Sequence, residues 1–219
     1  MGIQKGASCV VTIVTVTPVR NLVRIQLDSG AEYWLRKQDM YALSCQEGNE
    51  VDEEVFLQQV RLLQYPRALN HAVSMLARRP CSRHEVFSSL QRHRYTEEIA
   101  ALVVYKLEKE NLLNDESFCE QWIRYRQDCR FGKKRILLEL RQKGIPEDLA
   151  RSALENTEDP DNSSGAFSLA LRAWNRTKPE EDIRKSRQKV IACLVRKGYD
   201  WETARSACDA AEKQKSTAH

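Results

Sequence analysis

The sequence predicts a mainly α protein, a tandem array of three three-helix repeats preceded by a small β-rich N-terminal module of three short strands plus helices. Three observations carry this. Residues 85–90, 135–140 and 189–194 are copies of one another, each leading five residues on to Tyr95, Ile145 or Tyr199. Each copy is followed by a helix stop and a fresh helix start at matching places. Residues 9–16, ahead of the array, are nearly all β-branched or apolar. A unit of roughly 50 residues used three times in a row marks an array whose units bury their apolar faces against their neighbours and offer a long surface to a partner. That points to a binding protein before an enzyme.

The module comes first. Residues 9–16 and the alternating residues 22–27 read as strands, and Asp28-Ser29-Gly30 is a turn signal before a third strand over 32–35. Residues 36–44 and 52–64 then read as helices, with Gly48 and Asn49 between them and Pro66 closing the segment. The expected domains are 1–65 for the module and 66–114, 115–157 and 163–214 for the repeats.

In the second helix of each repeat, Val86, Phe87 and Leu90 recur as Ile136, Leu137 and Leu140 and as Val190, Ile191 and Leu194, the spacing of one buried helical face. Breaks follow at Arg94, Gly144 and Gly198, where a left-handed residue ends a helix and glycine adopts it without steric cost. Third helices start at Thr96, Pro146 or Asp200 and place Ala100, Ala150 and Ala204 at equivalent positions, small enough for close helix approach. The first helices carry stripes: Leu69, Ala72, Val73, Leu76 in one repeat and Phe167, Ala170, Leu171, Trp174 in another. The middle repeat gives Cys119, Trp122, Ile123 and then Arg126, whose stem is expected on apolar surface and whose guanidinium is expected to find a carboxylate or carbonyl. The third repeat has a longer loop over 175–186, with Pro179, of a kind that can carry contacts.

Composition narrows the function classes. No apolar run approaches the roughly 18 residues of a membrane helix. The start Met1-Gly2-Ile3-Gln4-Lys5 lacks the pattern of a signal peptide, and Gly6 stands where a myristoylation motif needs Ser or Thr. The 7 cysteines are scattered with no Cys-x-x-Cys pair, which fits reduced thiols in a cytoplasmic protein. His71, His84 and His93 have no zinc-like spacing with them, so no metal is expected. Gly132-Lys133-Lys134 superficially resembles a phosphate loop, but Gln127 occupies the place of the required first glycine. No catalytic residue, cofactor or enzyme activity is expected.

Charge is uneven. Residues 1–65 hold six Lys/Arg against eight Asp/Glu, and the rest of the chain twenty-nine against twenty-three. Two basic clusters supply the candidate partner- or DNA-binding residues: Arg124, Arg130, Lys133, Lys134, Arg141 and Lys143 in the middle repeat, and Lys185, Arg187, Lys189, Arg196 and Lys197 in the third. Lys134 and Arg141, seven apart, share a helical face turned away from Ile136 and Leu140, while Arg135 and Glu139 can pair on the helix surface. Trp122, Tyr125 and Phe131 read as core or helix-end aromatics.

Asn114-Asp115-Glu116-Ser117-Phe118, then Arg126, Gly132, Arg135-Ile136, Glu139-Leu140 and Lys143-Gly144-Ile145 resemble the central signature of the RecX family, bacterial regulators of the RecA recombinase. The resemblance is densest over 111–156, and the front module resembles the β-containing segment of the family's longer members. Asn114 departs from a frequent acidic residue and Arg130 from a common glycine. Asp115 is expected to cap the helix that follows. The resemblance implies a non-enzymatic array that binds RecA or its DNA filament and restrains strand exchange and coupled ATP hydrolysis; separately, a monomer is expected. The alternative is a DNA-binding helical-repeat protein whose main ligand is single- or double-stranded DNA.

Overall fold

The computed structural model of the protein describes residues 9–157, 162–177 and 182–217. These residues fall into two units that divide between Leu113 and Asn114. The readings made on Met1 to Gly6 and on Pro179 lie outside the described residues.

In the first unit, strands β1 (Val10–Val19), β2 (Leu22–Leu27), β3 (Glu32–Arg36) and β4 (Glu50–Asp52) form an antiparallel sheet of order β3-β2-β1-β4. The fourth strand is an addition to the three that the sequence predicts. Its three residues pair with Val10, Val11 and Thr12, too short a run for alternation to show. A bulge between Ile13 and Thr15 leaves Val14 half exposed while Val11 and Ile13 stay inside. Val23, Ile25, Leu27, Tyr33 and Leu35 complete the buried face. At about 1.5–3 kcal/mol for each large apolar side chain buried, this small core is a substantial source of stability.

Helix α1 (Lys37–Ala42) follows β3, and α2 (Glu53–Leu76) follows β4 directly. Here one expectation fails. Pro66 does not close a helix; it lies inside α2, whose two halves are held in separate cores. Phe56 and Val60 pack with the sheet. Ala68 and Ala72 pack with Val86, Leu90, Ile99, Ala100 and Val103 of α3 (Arg83–Arg92) and α4 (Glu97–Lys109). Burial on both sides of the proline offsets the missing backbone N–H and the ring clash, which together cost about 3 kcal/mol in an unsupported helix.

The second unit contains α5 (Asp115–Asp128), α6 (Lys133–Gln142), α7 (Glu147–Asn156), α8 (Asn162–Trp174), α9 (Ile183–Arg196) and α10 (Trp201–Thr217). Among the described residues no strand occurs after Asp52, and the later part of α2 with α3 to α10 supplies three sets of three helices. One core joins Cys119, Ile123, Ile136, Leu140 and Ala150, and another joins Ala166, Ala170, Val190, Leu194 and Ala204.

The stops lie where the sequence places them: Arg94, Gly144 and Gly198 have φ of 66°, 75° and 94°. Two details differ. The cap of α5 is Asn114, whose side chain accepts from the Ser117 amide at 3.0 Å, while Asp115 sits in the first turn. Asn114, with extended backbone just outside the helix, places its side-chain oxygen on a free N–H, whereas Asp115 is already helical. The first helix of the middle repeat also aligns one residue away from the predicted register, while those of the other two repeats keep theirs. The fully buried pairs of the three first helices are Ala68 and Ala72, Cys119 and Ile123, and Ala166 and Ala170, whereas Val73 is 43% exposed. Arg126 therefore corresponds to Met75 and Ala173, not to Leu76 and Trp174.

Candidate functional site

Backbone contacts join the start of α6, where Lys133 and Lys134 lie, to the end of α9, where Lys197 lies. The Gly132 amide donates to the Lys197 carbonyl at 2.9 Å, and the Lys134 amide donates to the Gly198 carbonyl at 3.1 Å. Free donors at the N-terminus of α6 thereby meet free acceptors at the C-terminus of α9, satisfying both with favourable dipole alignment. The approach is so close that a Cβ on Gly132 would lie 2.4 Å from Gly198 carbonyl atoms, and one on Gly198 would lie 2.3 Å from the Arg135 Cβ. Sequence reading recognised the two glycines separately, one as part of a resemblance and one as a helix stop. The signal for their contact would have been a glycine at an N-cap position that offers no capping side chain.

Arg126 behaves as its position predicts. Its Nε donates to Glu139 Oε2 at 2.5 Å, and Arg135 Nε donates to the other carboxylate oxygen at 2.9 Å. Glu139 is buried, so one carboxylate ties α5 to α6 through Arg126 and also holds Arg135 of its own helix. The Arg126 guanidinium also faces Phe131 at 4.7 Å and Trp122 at 4.8 Å. Lys197 Nζ covers Phe131 at 4.0 Å and Lys143 Nζ covers Trp122 at 4.1 Å. Lys197, Phe131, Arg126, Trp122 and Lys143 thus alternate cation and ring, each contact contributing about 0.5–1 kcal/mol or more as water is excluded.

These contacts sort the predicted site residues. Arg187 is committed to Asp209 and Glu212 of α10, which accounts for its raised pKa: the hydrogen bond to Asp209 comes first and desolvation opposes it. It does not belong to an open basic face, because two carboxylates neutralise it. Lys143 and Lys197 stack on rings. Arg130 is half-buried and ends α5 in a left-handed conformation, with φ of 58°. Arg124, Lys133, Lys134, Arg141, Lys185, Lys189 and Arg196 are exposed, Arg124 with Glu120 at 4.0 Å. Lys134 lies near enough to Asp200 to help lower its carboxyl pKa, behind the larger effect of hydrogen bonds from Thr203.

Lys134, Leu138 and Arg141 form the outward stripe of α6, with Leu138 46% exposed between the two cations. The equivalent residues of α9 are Gln188, Ala192 and Val195, which with Ile191 and the exposed Trp201 line an apolar groove of about 360 Å³. In α3 they are His84, Ser88 and Gln91. The positive stripe thus belongs to the middle repeat, and its apolar centre was missed because the repeat's signal lies on the opposite, buried face.

Burial pushes the Cys45 and Cys119 thiols up to about 11, which keeps them protonated and unreactive near neutrality. Among the described residues no group of three or more His, Cys, Asp or Glu is placed to hold a metal, and no helix is long and apolar enough to cross a membrane.

Comparison with known proteins gives a consistent result. The second three-helix domain of RecX matches residues 114–154 and the third matches residues 164–208. The regulatory protein RecX of Prosthecochloris aestuarii is 34% identical over 144 residues, covering 65% of this chain and 92% of that protein. That of Clostridium perfringens strain 13 is 27% identical over 187 residues, covering 85% and 88% respectively. A crystal structure of regulatory protein RecX shares the fold, with a TM-score of 0.62 at 21% identity over 91% of this chain and 99% of that one. RecX from Lactobacillus salivarius does so at 0.60 and 24% identity, over 68% of this chain and 96% of that one. Repeat pattern, helix order and these likenesses agree that the chain belongs to the RecX family of regulatory proteins.

Proposed function

We propose that this chain binds the RecA recombinase, free or in its filament on DNA, and restrains strand exchange and the coupled ATP hydrolysis without catalysing a reaction of its own. It acts in the cytoplasm, as a monomer, in the regulation of recombination and DNA repair. Family membership supports the choice of partner. The observation that carries the site is the Lys134, Leu138 and Arg141 stripe, where an exposed leucine sits between two exposed cations. A phosphate backbone has no use for the leucine, whereas an acidic protein surface with an apolar centre engages all three side chains. Lys133 and Arg124 extend the positive surface, and Lys185, Lys189 and Arg196 supply cations on α9. Contacts to more than one filament subunit would add through effective concentration.

The test is RecA's DNA-dependent ATP hydrolysis with increasing amounts of this protein. Substoichiometric amounts slow it, and the chain alone turns over no ATP. A folded chain that leaves RecA unaffected across a wide concentration range would overturn the reading. Nucleic acid as the main ligand is favoured by one feature: Tyr125 is 55% exposed beside Arg124, a pairing suited to base stacking with phosphate attraction. Tighter binding to bare single-stranded DNA than to the filament, falling steeply with salt, would favour that alternative.

A further inference from the structure

The first unit holds a cavity of about 370 Å³ between the β1–β2 hairpin, β3, α1, α2 and the turn between α3 and α4. Its size is on the scale of small-molecule sites, about 300–1,000 Å³, and exceeds what a single ion needs. Arg36, Arg67 and Arg94 line it against one carboxylate, Asp39, so the walls carry a net charge of two positives before His93 is counted. Trp34 and Tyr95 supply aromatic surface.

The walls are preorganised. Arg67 holds both oxygens of Asp39, one at 2.8 Å. Gln64, buried in the floor, donates to the Trp34 carbonyl at 2.7 Å and accepts from the Thr96 amide at 3.4 Å. The Arg94 guanidinium lies 4.7 Å from the Trp34 ring centroid and is exposed. Among the described residues neither Arg36 nor Arg94 has a carboxylate within ion-pair distance.

Arg94 is the informative residue. It occupies the left-handed helix stop that Gly144 and Gly198 occupy in the other repeats, with φ of 66°. A side chain there is strained where glycine would be relaxed, and strain retained in a folded chain marks a place where the side chain itself has a use. Here that side chain points a guanidinium at a basic, aromatic-lined cavity.

We propose that this cavity binds a nucleotide, its phosphate drawn by Arg36 and Arg94 and its base lodged against the Trp34 and Tyr95 walls. The nucleotide is either free or one unit of a single strand, and the two share the same chemistry. The proposal rests on the first unit alone and does not depend on the RecA reading.

The test is isothermal titration of the full chain with AMP, with an oligothymidylate and with inorganic pyrophosphate. Arg94→Gly is the chief variant, because it installs the residue that the conformation prefers. Wild type binds AMP, or the oligothymidylate only, and Arg94→Gly weakens that binding about tenfold or more while the melting temperature holds or rises. AMP binding assigns a free nucleotide, and binding of the oligothymidylate alone assigns a unit of a strand. The proposal is overturned if wild type binds neither AMP nor the oligothymidylate, if pyrophosphate is the only probe bound, or if Arg94→Gly binds as tightly as wild type.

Discussion

Glu139 has two arginine partners of unequal standing. The Arg126 side chain is 21% exposed and enclosed by rings, while the Arg135 side chain is 44% exposed. Removing Arg126 leaves a buried carboxylate half-satisfied and empties the centre of the cation and ring stack, so Arg126→Ala should cost on the order of 3 kcal/mol. Arg135→Ala should cost about 1 kcal/mol or less, because the exposed partner is screened by water. Urea unfolding of the two variants decides it, and equal losses would remove Arg126 from its central place. The sequence anticipated a carboxylate or a carbonyl for Arg126, since an arginine beside an apolar stripe needs an acceptor, and the structure supplies the carboxylate. It did not reveal the stack, because Phe131 and Lys197 meet only after two repeats have docked.

Helices are joined here by main chain as well as by side chains. Gly132→Ala would drive a methyl into backbone atoms that no rotamer change can clear. We expect a loss of about 1–3 kcal/mol or more in urea unfolding, with helical circular dichroism nearly kept because each repeat retains its own core. A loss under about 0.5 kcal/mol would mean that the junction of α6 with the α9 C-terminus is loose.

A second joint, Asp39 with Arg67, ties α1 to α2. The hydrogen bond from Arg67 is the main reason that Asp39 titrates below its ordinary 3.8, with burial opposing. The folded state therefore binds this proton more weakly than the unfolded chain. Its stabilisation is fully present above about pH 4 and is lost as pH falls from 3.8 through the lower folded value. Urea midpoints at pH 6, 4 and 3 should fall more steeply for wild type than for Asp39→Asn, and parallel curves would show that the pair adds nothing. Helix existence and the apolar triples were legible because burial imposes a period. Both joints were illegible because each brings together residues that are distant in sequence, and β4 was too short to show a period.

At the scale of the molecule, the question is whether the exposed cations recognise a partner or merely keep the chain hydrated. Lys134→Glu/Arg141→Glu should weaken retention on RecA filaments and flatten its salt dependence, yet leave the melting temperature nearly unchanged, since exposed charges contribute about 0–1 kcal/mol. Filament pull-down at two salt concentrations is the measurement. Equal retention by the variant and wild type at both would assign these side chains to solvation. The site was only partly legible: the sequence located the basic clusters, but charge counting could not show that Arg187 is neutralised by α10 or that Lys143 and Lys197 lie over rings.

Helix α2 contributes Phe56 and Val60 to one core and Ala68 and Ala72 to another. A rod embedded at both ends transmits disorder as well as order. When the sheet core opens, the first half of the rod loses its packing, and the half that remains, too short to be stable alone in water, depends on the first repeat's core. Sheet and first repeat should therefore melt as a single cooperative block, their amide protons exchanging with one common opening free energy although their apolar clusters never merge.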